Sequence, residues 1–512
     1  MKKNLILLIL DGWGIGKREE NNPLHSANPK TLEYLKRNFP SGSLQSAGIA
    51  VGLPWGEPGN SEIGHLSIGS GKIIYQSYPR ISLLIKTGEF FKNEKILEAI
   101  KSAKEKNANL HYIGLLSSSN IDSSFEHLEA LIKMADSENT PYFLHLFTDG
   151  KDSPIKSAAT LIKKLPDQSK ISSLSGRFYA MDENENWDRT EKVYKILTGQ
   201  NKSSKSISEV LESAYSRNLS DEFIEPSLVG ENPQIIKDND SVIFFNFSED
   251  SSWQLASSFI DKSFEEFARL PLKDISFVTF TEYDPGFFTS VAFPQDSIIN
   301  PLGKIISDQG KTHIKIGETL KYYPLTYFLN GFNEKPFPNE YRVLIPSNST
   351  PHQDQFPAMR ASEITARAIQ SINENVFNLI IVNYANFDII GHTGNLAAAK
   401  SAVKLVDDEV NKVVRSAIES KTPVILVGSH GNIEEMVNPK TGLPETKNTK
   451  NSVPFILIDR DFERKKSESE VLSEESTTIG LLSDVAPTIL ELLGIEKPND
   501  MTGQSLLKYI IR

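Results

Sequence analysis

The sequence predicts an α/β protein of more than one domain, built on mostly parallel sheets. Three observations carry this. The chain has 512 residues, and single hydrophobic cores stop growing near ~250–300 residues. Short apolar runs alternate with helical patterns almost throughout, the signature of strand–helix units. Nearly every run stops at a polar cluster, and open α/β sheets bind ligands beyond the carboxyl ends of their strands. Function is therefore sought in those clusters.

The runs cover residues 5–10, 110–116, 142–147, 242–247, 276–281, 379–383, 424–427 and 454–458. The first, Leu5-Ile6-Leu7-Leu8-Ile9-Leu10, follows Met1-Lys2-Lys3 and could be mistaken for a secretory signal. It ends directly in Asp11-Gly12 without a small-residue cleavage site, so a buried parallel strand is the better reading. No later stretch approaches the ~18 apolar residues of a membrane span, and a cytoplasmic protein is expected. Segments 201–208 and 464–478 are rich in Ser, Lys and Glu, and are expected to be solvated loops without function. The net charge of −11 argues against nucleic acid, though not against a small anionic substrate. The chain has no cysteine, which excludes disulfides and thiolate metal ligands and leaves the redox compartment open.

Four fragments carry chemistry. Asp11-Gly12 puts a carboxylate at the end of the first strand, where an aspartate alone reads equally as a turn or helix cap. In Gly59-Asn60-Ser61-Glu62-Ile63-Gly64-His65, glycines flank a serine that precedes a helical pattern, which exposes a hydroxyl where the helix dipole favours an anion. The same spacing allows Ser61 to be only an N-cap. Asp388 and His392 stand four residues apart, on one face if the turn is helical, which suits a divalent metal or an ordinary surface pair. Ser429-His430-Gly431-Asn432 follows the strand at 424–427, and a histidine there is a candidate ligand or catalytic group.

Together these pieces resemble the cofactor-independent phosphoglycerate mutase family, a branch of the alkaline phosphatase superfamily. Further matching stretches are Ser175-Gly176-Arg177-Phe178-Tyr179-Ala180-Met181-Asp182, Trp187-Asp188-Arg189, Glu318-Thr319-Leu320-Lys321-Tyr322, Gly391-His392-Thr393-Gly394-Asn395 and Asp484-Val485-Ala486-Pro487-Thr488. The resemblance implies an alkaline-phosphatase-like three-layer α/β phosphatase domain from residues 1–75 and 301–512. An inserted α/β transferase domain, residues 76–300, would bind substrate. It implies interconversion of 3- and 2-phosphoglycerate through a phosphoserine at Ser61, with two Mn²⁺ or Mg²⁺ ions and no 2,3-bisphosphoglycerate. The implied metal ligands are Asp11, Ser61, Asp388, His392 and His430, with Lys321 on the phosphate side. His65 and His127 also match family positions, and each could be purely structural.

The sequence departs from that pattern at seven site positions. One ligand position of each ion is replaced: an aspartate by Ser429 and a histidine by Asn448. Both leave only neutral donors, where Mn²⁺ or Mg²⁺ prefers carboxylates. In the substrate half Arg177 is kept and the family's Arg-Asp becomes Lys151-Asp152. The histidine position reads Asp122, and arginine positions read Glu183, Ser248 and Ser251. At ~1.5–3 kcal/mol for each charged hydrogen bond, three lost arginines amount to roughly 5–9 kcal/mol of binding. The expectation is a homologue that keeps the fold and is weak or inactive as a mutase. Its rivals are an active mutase with an altered site, a metal-dependent phosphatase or phosphotransferase on another substrate, and a non-catalytic regulatory or scaffold protein. If active, its partner is a small phosphorylated metabolite; neither nucleic acid nor membrane is expected, and a monomer is.

Overall fold

The computed structural model describes residues 3–200 and 203–511. Met1 and Lys2 of the signal-like run, and Asn201 and Lys202 of the segment 201–208, lie outside the described residues. The chain divides into two compact units: residues 1–76 with 297–512, and residues 77–296. The second boundary lies before Ser297 because this residue and Asn300 are tied to the first unit. Lys72 Nζ donates to the Ser297 carbonyl at 3.2 Å, and Asn300 Nδ2 to Asp500 at 2.9 Å.

The first unit is built on an eight-stranded sheet. Its order is Glu340–Ile345, His313–Glu318, Leu379–Tyr384, Leu5–Leu10, Val424–Gly428, Val453–Ile458, Ser41–Gln45 and Thr478–Leu481. The first five strands are parallel, and Val453–Ile458 runs antiparallel to both its neighbours. Leu5–Leu10 lies at the centre, and alternation of side chains explains why it is apolar throughout. Leu5, Leu7 and Ile9 enter one core layer with helix Val485–Leu493, and Ile6, Leu8 and Leu10 enter the other with helices Ala361–Glu374 and Leu396–Glu419.

The second unit repeats the logic. Its eight strands run in the order Ser290–Val291, Ser276–Thr279, Ser241–Phe244, Leu110–Leu116, Tyr142–Thr148, Ile171–Gly176, Ser227–Val229 and Ser204–Lys205. Among the described residues, only the contact between Ile171–Gly176 and Ser227–Val229 is antiparallel. Two core clusters cover its faces.

Two expected loops are corrected. Residues 464–478 contain the helix Glu468–Ser476, started by a reciprocal capping box between Ser467 and Glu470. Ion pairs from Arg18 to Glu468 and Glu475, and from Lys36 to Glu475, bind this charged helix to the body of the unit. Within 201–208, Ser204–Lys205 forms an edge strand and Ser206 caps the helix Ile207–Tyr215 through a second capping box with Glu209. In both places a Ser-x-x-Glu start signal was present in a composition that reads as solvated.

Candidate active site

In the first unit four neighbouring parallel strands deliver the polar groups from their carboxyl ends. Asp11 follows Leu5–Leu10, and Ser429 and His430 follow Val424–Gly428. Asp388 lies in the helix Asn386–Gly391 after Leu379–Tyr384, and Lys321 lies in the turn after His313–Glu318. Gly12 has φ of +84°, and a Cβ there would come within 2.5 Å of the Asp388 backbone nitrogen. Glycine is thus what lets the first strand's exit touch the turn that carries Asp388.

Ser61 is the first residue of the helix Ser61–Ser70, and Asn60 caps it by accepting from the Ile63 N–H at 2.9 Å. The capping role open to Ser61 therefore falls to Asn60, which leaves the half-buried Ser61 hydroxyl to the centre. The helix packs tightly on the strand end: a Cβ on Gly64 would lie 2.4 Å from the Ser429 carbonyl oxygen. His65, one turn on, is buried, with Nδ1 2.6 Å from the Ser61 carbonyl and Nε2 3.0 Å from Asn383 Nδ2.

The Ser61 hydroxyl donates to Asp11 Oδ2. Lys321 Nζ donates to Ser61 Oγ at 2.8 Å and pairs with Asp11 Oδ2 at 2.7 Å and Asp388 Oδ2 at 2.6 Å. On the far side the Ser429 hydroxyl donates to Asp11 Oδ1 and lies 2.9 Å from His430 Nδ1. His430 Nε2 stands 2.8 Å from Asp388 Oδ1, and His392 Nε2 3.1 Å from the same oxygen. Asn448 Oδ1 accepts from Asn432 Nδ2 at 2.8 Å, and that amide nitrogen also lies 3.2 Å from His392 Nε2.

Burial pushes the Asp11 and Asp388 carboxyls up, but Lys321 and the neighbouring imidazoles outweigh it and hold both well below the usual carboxylate range. Burial pulls His430 down, and the two aspartates override it, raising the imidazole to about 9. The centre therefore holds two carboxylates against an ammonium and an imidazolium. Chemically it presents a serine hydroxyl at a helix N-terminus, with an acceptor on its proton and a cation on its oxygen.

The second unit assembles a second centre, again beyond four neighbouring parallel strands. Arg177 follows Ile171–Gly176, Asp149, Lys151 and Asp152 follow Tyr142–Thr148, Asp122 follows Leu110–Leu116, and Ser248 and Ser251 follow Ser241–Phe244. Arg177 is buried and bound by three carboxylates: Nη1 reaches Asp149 at 2.9 Å and Asp152 at 2.7 Å, and Nη2 reaches Asp122 at 2.7 Å. Ser251 donates to Asp122 at 3.3 Å and shares a hydrogen bond with Ser248. Burial raises Asp149, but Ser117, Arg177 and nearby backbone N–H groups bring it down to about 2. Lys151 is exposed, and Glu183 instead lines a cavity of about 500 Å³ with Asn184, Asp250, Trp253, Tyr283 and Asp284. His127 is buried, with Nε2 3.1 Å from the Ser82 hydroxyl and Nδ1 without a partner. Burial lowers it to about 3.

Sequence reasoning places Asp149 in a polar cluster at a strand end without giving it a role, and it misses Asn383 and Glu434. Glu434 is buried beside the first centre and accepts from the Gly14 and Asn432 backbone N–H groups at 3.1 and 2.8 Å. Its only signal was the crowding of glycines, Gly14, Gly16 and Gly431, whose positions would collide with it if they bore a Cβ.

Relatives match the chain in sequence over nearly its whole length. The 2,3-bisphosphoglycerate-independent phosphoglycerate mutase of Moorella thermoacetica is 40% identical over 99% of both chains. The chain belongs to this mutase family. The enzyme of that name numbered 1 in Methanosarcina barkeri is 41% identical, over 99% of this chain and 98% of its own. A family model described as the BPG-independent PGAM N-terminus matches residues 81–285, within the second unit. Among solved structures, Leishmania mexicana phosphoglycerate mutase at low cobalt concentration superposes with a TM-score of 0.54 and 24% identity, covering 98% of this chain and 97% of that one. That likeness supports the mutase-family fold.

Proposed function

We propose that this member of the family is weak or inactive in interconverting 3- and 2-phosphoglycerate. The observation that carries the reading is the state of Arg177. A guanidinium recognises a phosphate or carboxylate through its N–H fork, and here Asp122, Asp149 and Asp152 engage that fork. Three carboxylates against one buried cation would repel a trianionic ligand. The family arginines that could restore the balance read Glu183, Ser248 and Ser251.

The family implies two Mn²⁺ or Mg²⁺ ions at the first centre. The strong donors are Asp11, Asp388, His392 and His430, with Ser61 between them. The hydroxyl of Ser429 is turned to Asp11, and the carbonyl oxygen of Asn448 is occupied by Asn432. We read this donor set as a poor fit for two divalent ions.

What the chain retains is a placed nucleophile. Asp11 holds the Ser61 proton and Lys321 holds its oxygen. This favours a second reading, phosphotransfer to Ser61 from a less anionic substrate, which trapping of a phosphoserine at Ser61 would support. The main reading is tested by assaying purified, tag-free protein with Mn²⁺. Conversion of 3- to 2-phosphoglycerate is expected to fall far below ordinary enzyme turnover, and a kcat of about 1–10³ s⁻¹ would contradict it.

A further inference from the structure

We propose that Lys321 is the built-in cation of the first centre, its ammonium joining Asp11 and Asp388 where the family resemblance implies divalent ions. The proposal rests on the reading that this centre no longer suits two metals. Lys321 is almost fully buried, and an ammonium has three N–H donors and no acceptor. All three are matched: Asp11 Oδ2 at 2.7 Å, Asp388 Oδ2 at 2.6 Å and Ser61 Oγ at 2.8 Å.

The opposite oxygens are equally engaged. Asp11 Oδ1 accepts from Ser429, and Asp388 Oδ1 faces His430 at 2.8 Å and His392 at 3.1 Å. Two buried carboxylates cost several kcal/mol of desolvation unless paired and hydrogen-bonded. Lys321 reaches both at once, as a bridging ion would. Position 429 fits this role, because a carboxylate there would face Asp11 Oδ1 as a second acceptor, where the serine hydroxyl donates to it. With serine, the group at 429 becomes a donor to Asp11. Ser429 on Asp11 Oδ1 and Lys321 on Asp11 Oδ2 thus engage both oxygens of one buried carboxylate.

The test is calorimetric melting of the full chain as wild type, Lys321→Ala, Asp388→Asn and the double variant, each metal-free and with excess Mn²⁺. Bound Mn²⁺ is counted by electron paramagnetic resonance. Wild type is expected to bind Mn²⁺ poorly and to keep its Tm. Lys321→Ala is expected to melt roughly 6–20 °C lower, as an uncompensated buried charge would. Mn²⁺ should then bind it and restore much of the loss. The double variant should melt higher than Lys321→Ala, because removing one carboxylate relieves the repulsion.

Lys321→Ala that melts like wild type, or that ignores Mn²⁺, overturns the proposal. So does a wild type that Mn²⁺ stabilises with Lys321 in place. Should Lys321→Ala fail to fold, the double variant decides: folding supports the proposal and failure to fold overturns it. Mutase turnover separates this from the reading beneath it. An active wild type defeats that reading, whereas an inactive wild type whose Lys321→Ala form ignores Mn²⁺ defeats only the role of Lys321.

Discussion

In the first unit two buried carboxylates, Asp11 and Asp388, meet two cations, Lys321 and His430, whereas in the second a single guanidinium, Arg177, meets three carboxylates. Both centres sit beyond the carboxyl ends of four parallel strands, so the fold treats them alike. Their electrostatics differ. The first is matched in charge and keeps a serine hydroxyl in place. The second carries three carboxylates around one buried guanidinium. Under the proposed function, the replaced positions of the second unit weigh more than those of the first.

The sharpest way to break this contrast is Arg177→Ala. It strands Asp149 and Asp122 without their cation, and is expected to destabilise the second unit by roughly 3–5 kcal/mol, read by denaturant unfolding. A neutral result would mean that the cage is not buried tightly enough to matter. Asp122→Asn works in the other direction. It releases Arg177 Nη2, and titration calorimetry should show affinity for 3-phosphoglycerate rising by ~10–100-fold, the worth of one charged hydrogen bond.

Acid and base should separate the two units. His127 in the second unit is lowered to about 3, so the unfolded chain takes up its proton first. Its contribution is complete above the unfolded value of about 6.5 and is lost as pH falls from there towards 3, at up to ~1.4 kcal/mol per pH unit. His430 in the first unit is raised to about 9. Its contribution is complete below about 6.5 and is lost as pH rises through 9, with the same limiting slope. Probes in each unit should show the second losing stability first as pH falls below about 6.5, before carboxylate protonation, and the first alone losing it as pH rises from about 6.5 through 9; the reverse order would contradict the assignment. The smallest effect is local. Asn60→Ala removes the cap beneath Ser61 and should cost ~1 kcal/mol, seen as a modest fall in Tm.

Much of this was legible in the sequence where burial is complete. Leu5–Leu10, Leu110–Leu116 and Val424–Gly428 are apolar runs because both faces of their sheets are covered. His313–Glu318 carried no such signal, yet it is fully buried. Its Lys315 is paired with Glu340 at 3.3 Å and Asn330 at 2.5 Å on neighbouring segments, and such pairing cannot be seen along one stretch of chain. Ile171–Gly176 was hidden by its three serines.

The site shows the same division. Asp11, Ser61, Asp388, His392 and His430 could be named from motifs, and the structure brings them within hydrogen-bonding reach of one another or of Lys321. What motifs could not reveal is what each retained residue bonds to. Arg177 matched the family letter for letter, and only tertiary structure places Asp122, Asp149 and Asp152 on its fork.

The most direct measurement is metal stoichiometry of the purified chain, native and with Ser429→Asp plus Asn448→His. The native protein is expected to bind Mn²⁺ poorly and the double variant substantially better, still without mutase turnover until the arginines of the second unit are restored. A native chain that holds two ions stoichiometrically would contradict the account.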